Sequence, residues 1–380
     1  MSSDRRDVVV IGGGTMGTMA LWRLAERGVK AVCFEQFSPG HDRGAAGGET
    51  RIFRTAYLED PQYVPLLQEA LHLWRELEAA SGQHLLTLNG ALMVGDVESV
   101  RMQNVMRSIA EYGLRHERLT GEQLEARYPQ HRTLAGDSAV LDLDAGFLRA
   151  DLALVSAAAR AAALGSAVER YARVEALAFD AQGVTVRVDG HDHRFRTAVV
   201  APGPWVGKVL PQLSSLLTVK RPTQAWFAAR DPDQFQPERN PVLLRMSGVE
   251  GAYVLPSTDG VAVKVGLSSS SHELVADPDL LDRTITTAQM RQFRQVAEAI
   301  LPGVFPDPTR YGAYLEAYTA DGHAMVGTLP GAGNVVLLCG FSGHGFKLAP
   351  VIGDIAADLV LGGRTPRPIR HLAPERYLPR

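Results

Sequence analysis

Three consecutive glycines set between a β-branched run and an amphipathic helix limit the fold of this chain more than any other feature. Val8, Val9, Val10 and Ile11 lead directly into Gly12, Gly13 and Gly14. A run without polar alternation predicts a strand buried on both faces. Gly17 completes a G-x-G-x-x-G spacing, and Gly17, Ala20, Leu21, Leu24, Ala25 and Gly28 fall on one face of a helix ending at a glycine. Residues 30–34 predict a second strand, closed by Glu35. Each glycine has its own physical reason. Gly12 allows the tight turn, Gly14 lets the backbone approach a pyrophosphate, and Gly17 permits close helix–strand packing. A carboxylate about 20 residues on, here Glu35, can bond the hydroxyls of an adenosine ribose. This context favours dinucleotide binding over a glycine turn without ligand, and leaves FAD and NAD both open.

A second unit of the same kind stands near the other end. Val335, Val336, Leu337, Leu338 and Cys339 predict a strand, and Ile352, Ile355, Ala356, Leu359 and Val360 a helix. Between them run Gly340, Phe341, Ser342, Gly343, His344, Gly345, Phe346 and Lys347. A glycine-rich turn ending in a lysine before a helix presents backbone N–H groups and a cation to an anionic or polarised ring. Lysine is scarce here: of 39 basic residues only Lys30, Lys208, Lys220, Lys264 and Lys347 are lysines. Where arginine is the habitual cation, a lysine can mark a place that needs a compact charge with a movable pKa.

The rest of the chain supplies the body of two domains. At 380 residues it can bury a large core. Residues 40–48 read as a glycine-rich loop, and Tyr63, Leu67, Ala70, Leu71, Trp74 and Leu77 mark a long amphipathic helix. Residues 85–88 and 91–94 predict short strands, with Asn89 and Gly90 as a hairpin signal. Residues 151–164 predict a helix and 198–201 a buried strand. A β-rich stretch follows at 224–228, 242–246, 252–255 and 261–266, and a helix near 279–301 interrupts it. The pattern predicts interleaved α/β and α+β domains: a Rossmann-like dinucleotide domain from residues 1–84, 148–219 and 320–380, and a substrate domain on a mixed β-sheet from 85–147 and 220–319. Net charge −3 leaves no basic footprint for nucleic acid. No apolar run approaches the roughly 18–20 residues of a membrane span, and the polar first residues do not suggest a signal peptide. Cys33 and Cys339 both sit in apolar strand patterns, against a disulfide framework or zinc site. A cytoplasmic protein without a metal is expected.

With these residues in view, the chain resembles the monomeric sarcosine oxidase and N-methyltryptophan oxidase family of flavoproteins over almost its whole length. The resemblance rests on Gly12 to Gly17 with Glu35, and on residues 48–54, which read Gly48, Glu49, Thr50, Arg51, Ile52, Phe53 and Arg54. It rests also on Lys264, flanked by Val263, Val265 and Gly266, on Tyr318 with Thr319, and most specifically on residues 340–347. It implies FAD, a mixed β-sheet over the flavin face, a monomer, and oxidation of a secondary amine to an imine with release of hydrogen peroxide from O2. Carried over by position, Arg54 and Lys347 resemble cations that hold a substrate carboxylate. Lys264 resembles the lysine that promotes reaction with oxygen, and Arg51 its neighbour. Tyr253 and Tyr318 resemble aromatic residues lining the amine pocket. The same resemblance puts Thr15, Met16, Gln36, Arg43, Thr50 and Val174 on the cofactor, together with Gly343, Gly345, Phe346 and Lys347.

Physical chemistry suits these roles. Two cations fixing a carboxylate aim the α-carbon hydrogen at the flavin, so positioning supplies much of the rate. A desolvated ammonium stabilises negative charge developing on oxygen, and aromatic faces with burial favour an amine in oxidisable form. Plainer readings stand beside them. Arg51 and Arg54, three apart, also read as a solvated helix face bonded to Glu49 or Glu59. Lys264 also reads as an exposed lysine on an alternating strand, Tyr318 as a sheet aromatic, and His344 as structural.

The chain departs from the family at three places. Many members attach FAD through a cysteine shortly before the position of Tyr318, where this chain has Glu316, so non-covalent FAD is expected. Histidines common in the family are replaced by Gly47 and Ser268, and the segment after Thr319 is shorter by about two residues. Losing both imidazoles is expected to enlarge the site for an amino acid bulkier than sarcosine, cyclic or aryl-bearing. The alternatives are an FAD-dependent amino-acid dehydrogenase with another electron acceptor and a non-catalytic flavin-binding protein. An NAD-dependent dehydrogenase fits the N-terminus alone.

Overall fold

A computed structural model of the protein describes residues 7–246 and 251–378. Val8–Ile11 lies near the middle of a six-stranded sheet. The order is Met325–Leu329, Ala332–Cys339, Thr197–Val200, Val8–Ile11, Ala31–Glu35 and Ala167–Arg170. All neighbours are parallel except the first pair. The β-branched run is explained by its two neighbours in space. Val8 and Val10 join a core with the helices Thr15–Glu26, Val64–Ser81, Ala150–Ala163 and Ala349–Gly362. Val9 and Ile11 join another core with Val184, Val186 and Val188 of a three-stranded meander, residues 174–195. Alternate side chains of one strand thus serve two apolar faces, which is why no polar position interrupts the run.

An eight-stranded sheet forms the second body. Its order is Arg310–Ala313, Thr223–Ala228, Ala262–Leu267, Ala252–Leu255, Val242–Arg245, Ala91–Gly95, Ser138–Asp142 and His116–Thr120. It is antiparallel except where Val242–Arg245 meets Ala91–Gly95. One face packs under Leu124 and under Phe293, Val296 and Ile300 of the helix Thr287–Ile300. The parallel Rossmann-like sheet and the mixed substrate-domain sheet expected from the sequence are both present. Among the described residues, no helix is long and apolar enough to cross a membrane.

Local signals misled in three places. Asn89 and Gly90 do not close a hairpin: Leu86–Thr87 pairs with Gly146–Arg149, while Ala91–Gly95 pairs with Val242–Arg245 and Ser138–Asp142. The turn instead directs the chain from one sheet to another, and Asn89 Nδ2 donates to the carbonyls of Pro237 and Asn240. The helix expected near 279–301 begins only at Thr287, because Thr286 caps it with Gln289 in a reciprocal pair of hydrogen bonds. Arg51 and Arg54 lie on no helix. Thr50–Phe53 is a strand antiparallel to Gly146–Arg149, and Arg54 follows its end.

Candidate active site

The first glycine turn is held as the spacing requires. Gly12 has φ +89°, and a Cβ there would stand 2.7 Å from the Ala201 carbonyl oxygen. A Cβ on Gly17 would stand 1.8 Å from the Gly12 oxygen, so helix and turn meet only through glycine. Gly14 has no neighbour within 4 Å of that position, and as N-cap it offers no side chain to the helix Thr15–Glu26. The first N–H groups of this helix are therefore available to an anion. Glu35 is buried and accepts from Gly13 N at 2.6 Å and Phe37 N at 2.7 Å. Burial raises its pKa, against the pull of those two N–H groups.

These parts open on one elongated cleft. Gly12, Gly14, Thr15, Met16, Glu35 and Gln36 line it, and Val174, Gly343, Gly345 and Phe346 close its other walls. An uncapped helix N-terminus, an open glycine and a buried strand-end carboxylate fit FAD. Gly17 packs behind this wall. Arg43 lies outside it, with its guanidinium over Phe37 and 3.6 Å from Asp42.

A second cavity, of about 510 Å³, adjoins the first at Arg51, Glu316, Ser342, Gly343 and Phe346. Thr50, Arg54, Tyr253, Tyr318 and Lys347 all line it. Arg51 is fixed by the carbonyls of Ala45, Gly47 and Thr50. Lys264 stands behind this strand, not on either wall. It is buried, and its Nζ donates to Gly48 O at 2.8 Å and Thr50 O at 2.6 Å. Burial and the Arg51 charge drive its pKa well below the ordinary lysine range. The exposed-lysine reading therefore fails. Tyr253 lies across Gly266, where a Cβ would fall 2.0 Å from its Cζ. Its hydroxyl accepts from Gln224 Nε2 at 3.0 Å, and burial pushes its pKa up to about 12.

Arg54 and Lys347 are buried together beside the Tyr57 ring. Arg54 Nη2 lies 2.7 Å from each carboxylate oxygen of Glu59, and the guanidinium lies 4.3 Å over the Tyr57 ring. Burial raises the Glu59 pKa, but Arg54, His344 and Lys347 overcome this and bring it to about 2. Lys347 donates to His344 O at 2.8 Å, and burial with the Arg54 charge lowers its pKa to about 7. Both ring nitrogens of His344 are engaged: its Nδ1 meets Tyr57 Oη at 2.8 Å and its Nε2 the Gly322 oxygen at 2.9 Å.

A pH dependence follows. A bound carboxylate stabilises Lys347 in its charged form, which is complete below about pH 7 and lost above it. The affinity of an amine-free carboxylate such as benzoate should therefore be level below about pH 7. Above it, affinity should fall about tenfold per pH unit as the lysine loses its proton. Titrating the holoenzyme by flavin absorbance tests this, and Lys347→Met should abolish the slope.

The departures at Gly47 and Ser268 do not enlarge the site as expected. Gly47 is off the second cavity, and Tyr314 fills its missing side chain: a Cβ there would stand 2.2 Å from Tyr314 Cδ1. Ser268 does line that cavity, bonded to Ser270 Oγ at 2.6 Å, but His272 brings an imidazole onto the same wall. Sequence reasoning missed His272, four residues beyond the position it considered. It also missed Tyr314 and Gln224, whose Oε1 is buried with no partner among the described residues. Glu59 entered only as a surface partner for an arginine.

Comparison with known proteins places these features in context. The profile of the FAD dependent oxidoreductase family matches residues 7–359. A monomeric sarcosine oxidase of Streptomyces avermitilis is 31% identical over 374 residues, 97% of each chain. An N-methyl-L-tryptophan oxidase of Salmonella dublin is 29% identical over 358 residues, 94% of this chain and 95% of that one. The solved structure of NikD, an unusual amino acid oxidase essential for nikkomycin biosynthesis, superposes with a TM-score of 0.83 at 25% identity, covering 97% of both chains.

Proposed function

This chain belongs to the FAD dependent oxidoreductase family, and on that premise we propose that it is an amino-acid oxidase acting on a secondary amine. One observation carries the reading. Arg54 and Lys347 together line a cavity that shares Arg51, Glu316 and Phe346 with the dinucleotide cleft. A carboxylate held by these two cations leaves the α-carbon and its nitrogen facing the junction, between Tyr253 and Tyr318. FAD, when bound, supplies a two-electron acceptor that takes a hydride from the carbon beside nitrogen and is restored by O2 with release of hydrogen peroxide. The chain's own residues bind, orient and exclude water. Arg54 and Lys347 fix the substrate's register, the two tyrosines enclose the amine, and Lys264 with Arg51 supplies positive charge behind Gly48 and Thr50.

Similarity to a sarcosine oxidase and an N-methyl-L-tryptophan oxidase supports an N-methyl or cyclic amino acid as substrate. The cavity's volume, with Leu58, Val100, Leu244 and Met246 on its wall, supports one bulkier than sarcosine. Peroxide release across a panel of N-methyl and cyclic amino acids tests this. The bulkier members should turn over faster than sarcosine, and sarcosine outpacing all of them would overturn the size argument.

FAD is proposed to be held without a covalent bond. Glu316 cannot form a thioether. Cys339 lies on the cleft wall, but burial pushes its thiol up to about 12, which leaves little thiolate to react. Acid precipitation should release yellow colour into the supernatant. Colour retained in the pellet would contradict non-covalent binding.

A further inference from the structure

Residues 277–283 tie the two bodies of the fold together beside the dinucleotide cleft. In the chain they lie between the strand Ala262–Leu267 and the helix Thr287–Ile300, both part of the second body. Asp279 reaches three side chains of the first body. It accepts from Trp205 Nε1 and from Arg173 Nη2, each at 2.7 Å, and pairs with Lys208 as well. Lys208 is held a second time, 2.6 Å from Asp277. Trp205, Arg173 and Lys208 all line the cleft.

Four residues on, Arg283 ties the segment to another rim. Its Nη1 donates to Asp42 Oδ2 at 2.7 Å and its Nη2 to the Asp42 carbonyl at 2.6 Å. His41, next to Asp42, lines the same cleft. Both rims meet at Glu35: His41 Nε2 lies 3.6 Å from Glu35 Oε1, and the Trp205 ring centre lies 5.9 Å from that of Phe37, two residues past Glu35. Four residues of chain span at most about 14 Å. The segment therefore bridges the cleft at the end where Glu35 is placed to bond an adenosine ribose.

The bridge is held in shape from its own side. Buried Arg221 donates its Nε to the Asp282 carbonyl at 2.6 Å and bonds the Thr284 carbonyl too, and Asp277 accepts from Asp279 N at 2.9 Å. Burial raises the Asp279 pKa, but Lys208, Arg173 and Trp205 overcome this and bring it to about 2. Asp279 is thus an anion at neutral pH, in a small network rather than a lone surface pair.

Resting on the non-covalent FAD reading above, we propose that residues 277–283 form a latch across the adenosine end of the cleft, and that FAD enters and leaves when the Asp279 or the Arg283 tie opens. Both ties run between protein groups and touch no cofactor atom. The latch therefore raises the barrier to entry and to exit alike and leaves the affinity nearly unchanged. It gives a chain without a flavin thioether a kinetic means of keeping its cofactor.

Two rates test this. Holoenzyme mixed with excess 5-deaza-FAD reports release through the change in flavin absorbance, and apoprotein mixed with FAD reports association through loss of flavin fluorescence. Arg283→Gln should speed both about tenfold, as expected for losing a small set of charged contacts, with little change in Kd. Asp279→Asn keeps an acceptor for Trp205 and should also speed release. Arg173 and Lys208, once freed, would by themselves hold FAD phosphates more tightly and slow it. The double variant should add little, because freeing either end opens the bridge.

Unchanged rates in both single variants overturn the latch. So does faster release without faster association in Arg283→Gln, which would mark a contact that merely supports the bound state. Effects that multiply in the double variant overturn the single bridge. A covalent flavin overturns the latch together with the reading it rests on, and is told apart by colour kept in the acid pellet and no exchange in any variant.

Discussion

Lys264→Met should slow reoxidation of the reduced protein by air about 10²–10³-fold, the range for removing one preorganised group from a developing negative charge. Bound FAD and the rate of amine oxidation should change little. Lys264 is almost fully enclosed and spends its hydrogen bonds on the carbonyls of Gly48 and Thr50. A lysine whose proton is loosened by burial and by Arg51 gains most when negative charge appears nearby, which is what reducing oxygen produces. Methionine keeps the length and loses the charge. It also removes one donor each from the Gly48 and Thr50 carbonyls, which keep Thr50 N and Arg51 Nη1, so folding should be checked by thermal unfolding. Mixing anaerobically reduced protein with oxygenated buffer in a stopped-flow instrument gives the rate. An unchanged rate would place oxygen's reaction elsewhere. Slow reoxidation of the unaltered protein would favour a dehydrogenase with another acceptor.

Arg54 carries the second large effect, and its test needs two substitutions. Arg54→Met alone takes the ion-pair partner from Glu59, whose side chain is half-buried, and leaving that carboxylate unpaired costs stability. Loss of activity in that variant would confuse binding with folding. Arg54→Met combined with Glu59→Gln removes both charges. The double variant should fold, retain FAD, and bind amino-acid carboxylates about 10- to 150-fold more weakly, the equivalent of about 1.5–3 kcal/mol for a charge-assisted hydrogen bond. The dissociation constant for benzoate reads this directly, and equal affinity in the double variant would remove Arg54 from substrate recognition.

What could be read from the sequence was local. Val8 to Gly17 fixes a strand, a turn and a helix through backbone sterics and apolar periodicity within ten positions, and Glu35 follows from the length of one βαβ crossover. The loop at 340–347 was legible for the same reason. Partners distant in the chain were not. Tyr314 fills the space over Gly47, yet nothing near either residue signals the other. Asn89 and Gly90 carry hairpin chemistry, but the strands beside them find better partners far along the chain. Arg54 and Glu59 are five positions apart and suggest a surface pair, because spacing does not reveal that Tyr57, His344 and Lys347 bury them. His272 was hidden behind Ser268, since a short 3₁₀ turn at Ser269–Ser271 carries the imidazole onto the wall.

The central claim is that the carboxylate cations and the dinucleotide cleft serve one reaction on an amino acid. It is tested most directly by mixing the FAD-loaded protein, without oxygen, with a bulky N-methyl amino acid and with the same amine lacking its carboxylate. The amino acid should bleach the flavin's visible absorption, and the decarboxylated amine should do so far more slowly. Admitting air should then restore the colour with one hydrogen peroxide released per amine oxidised. Equal bleaching by both compounds, or none by any amino acid, would contradict it.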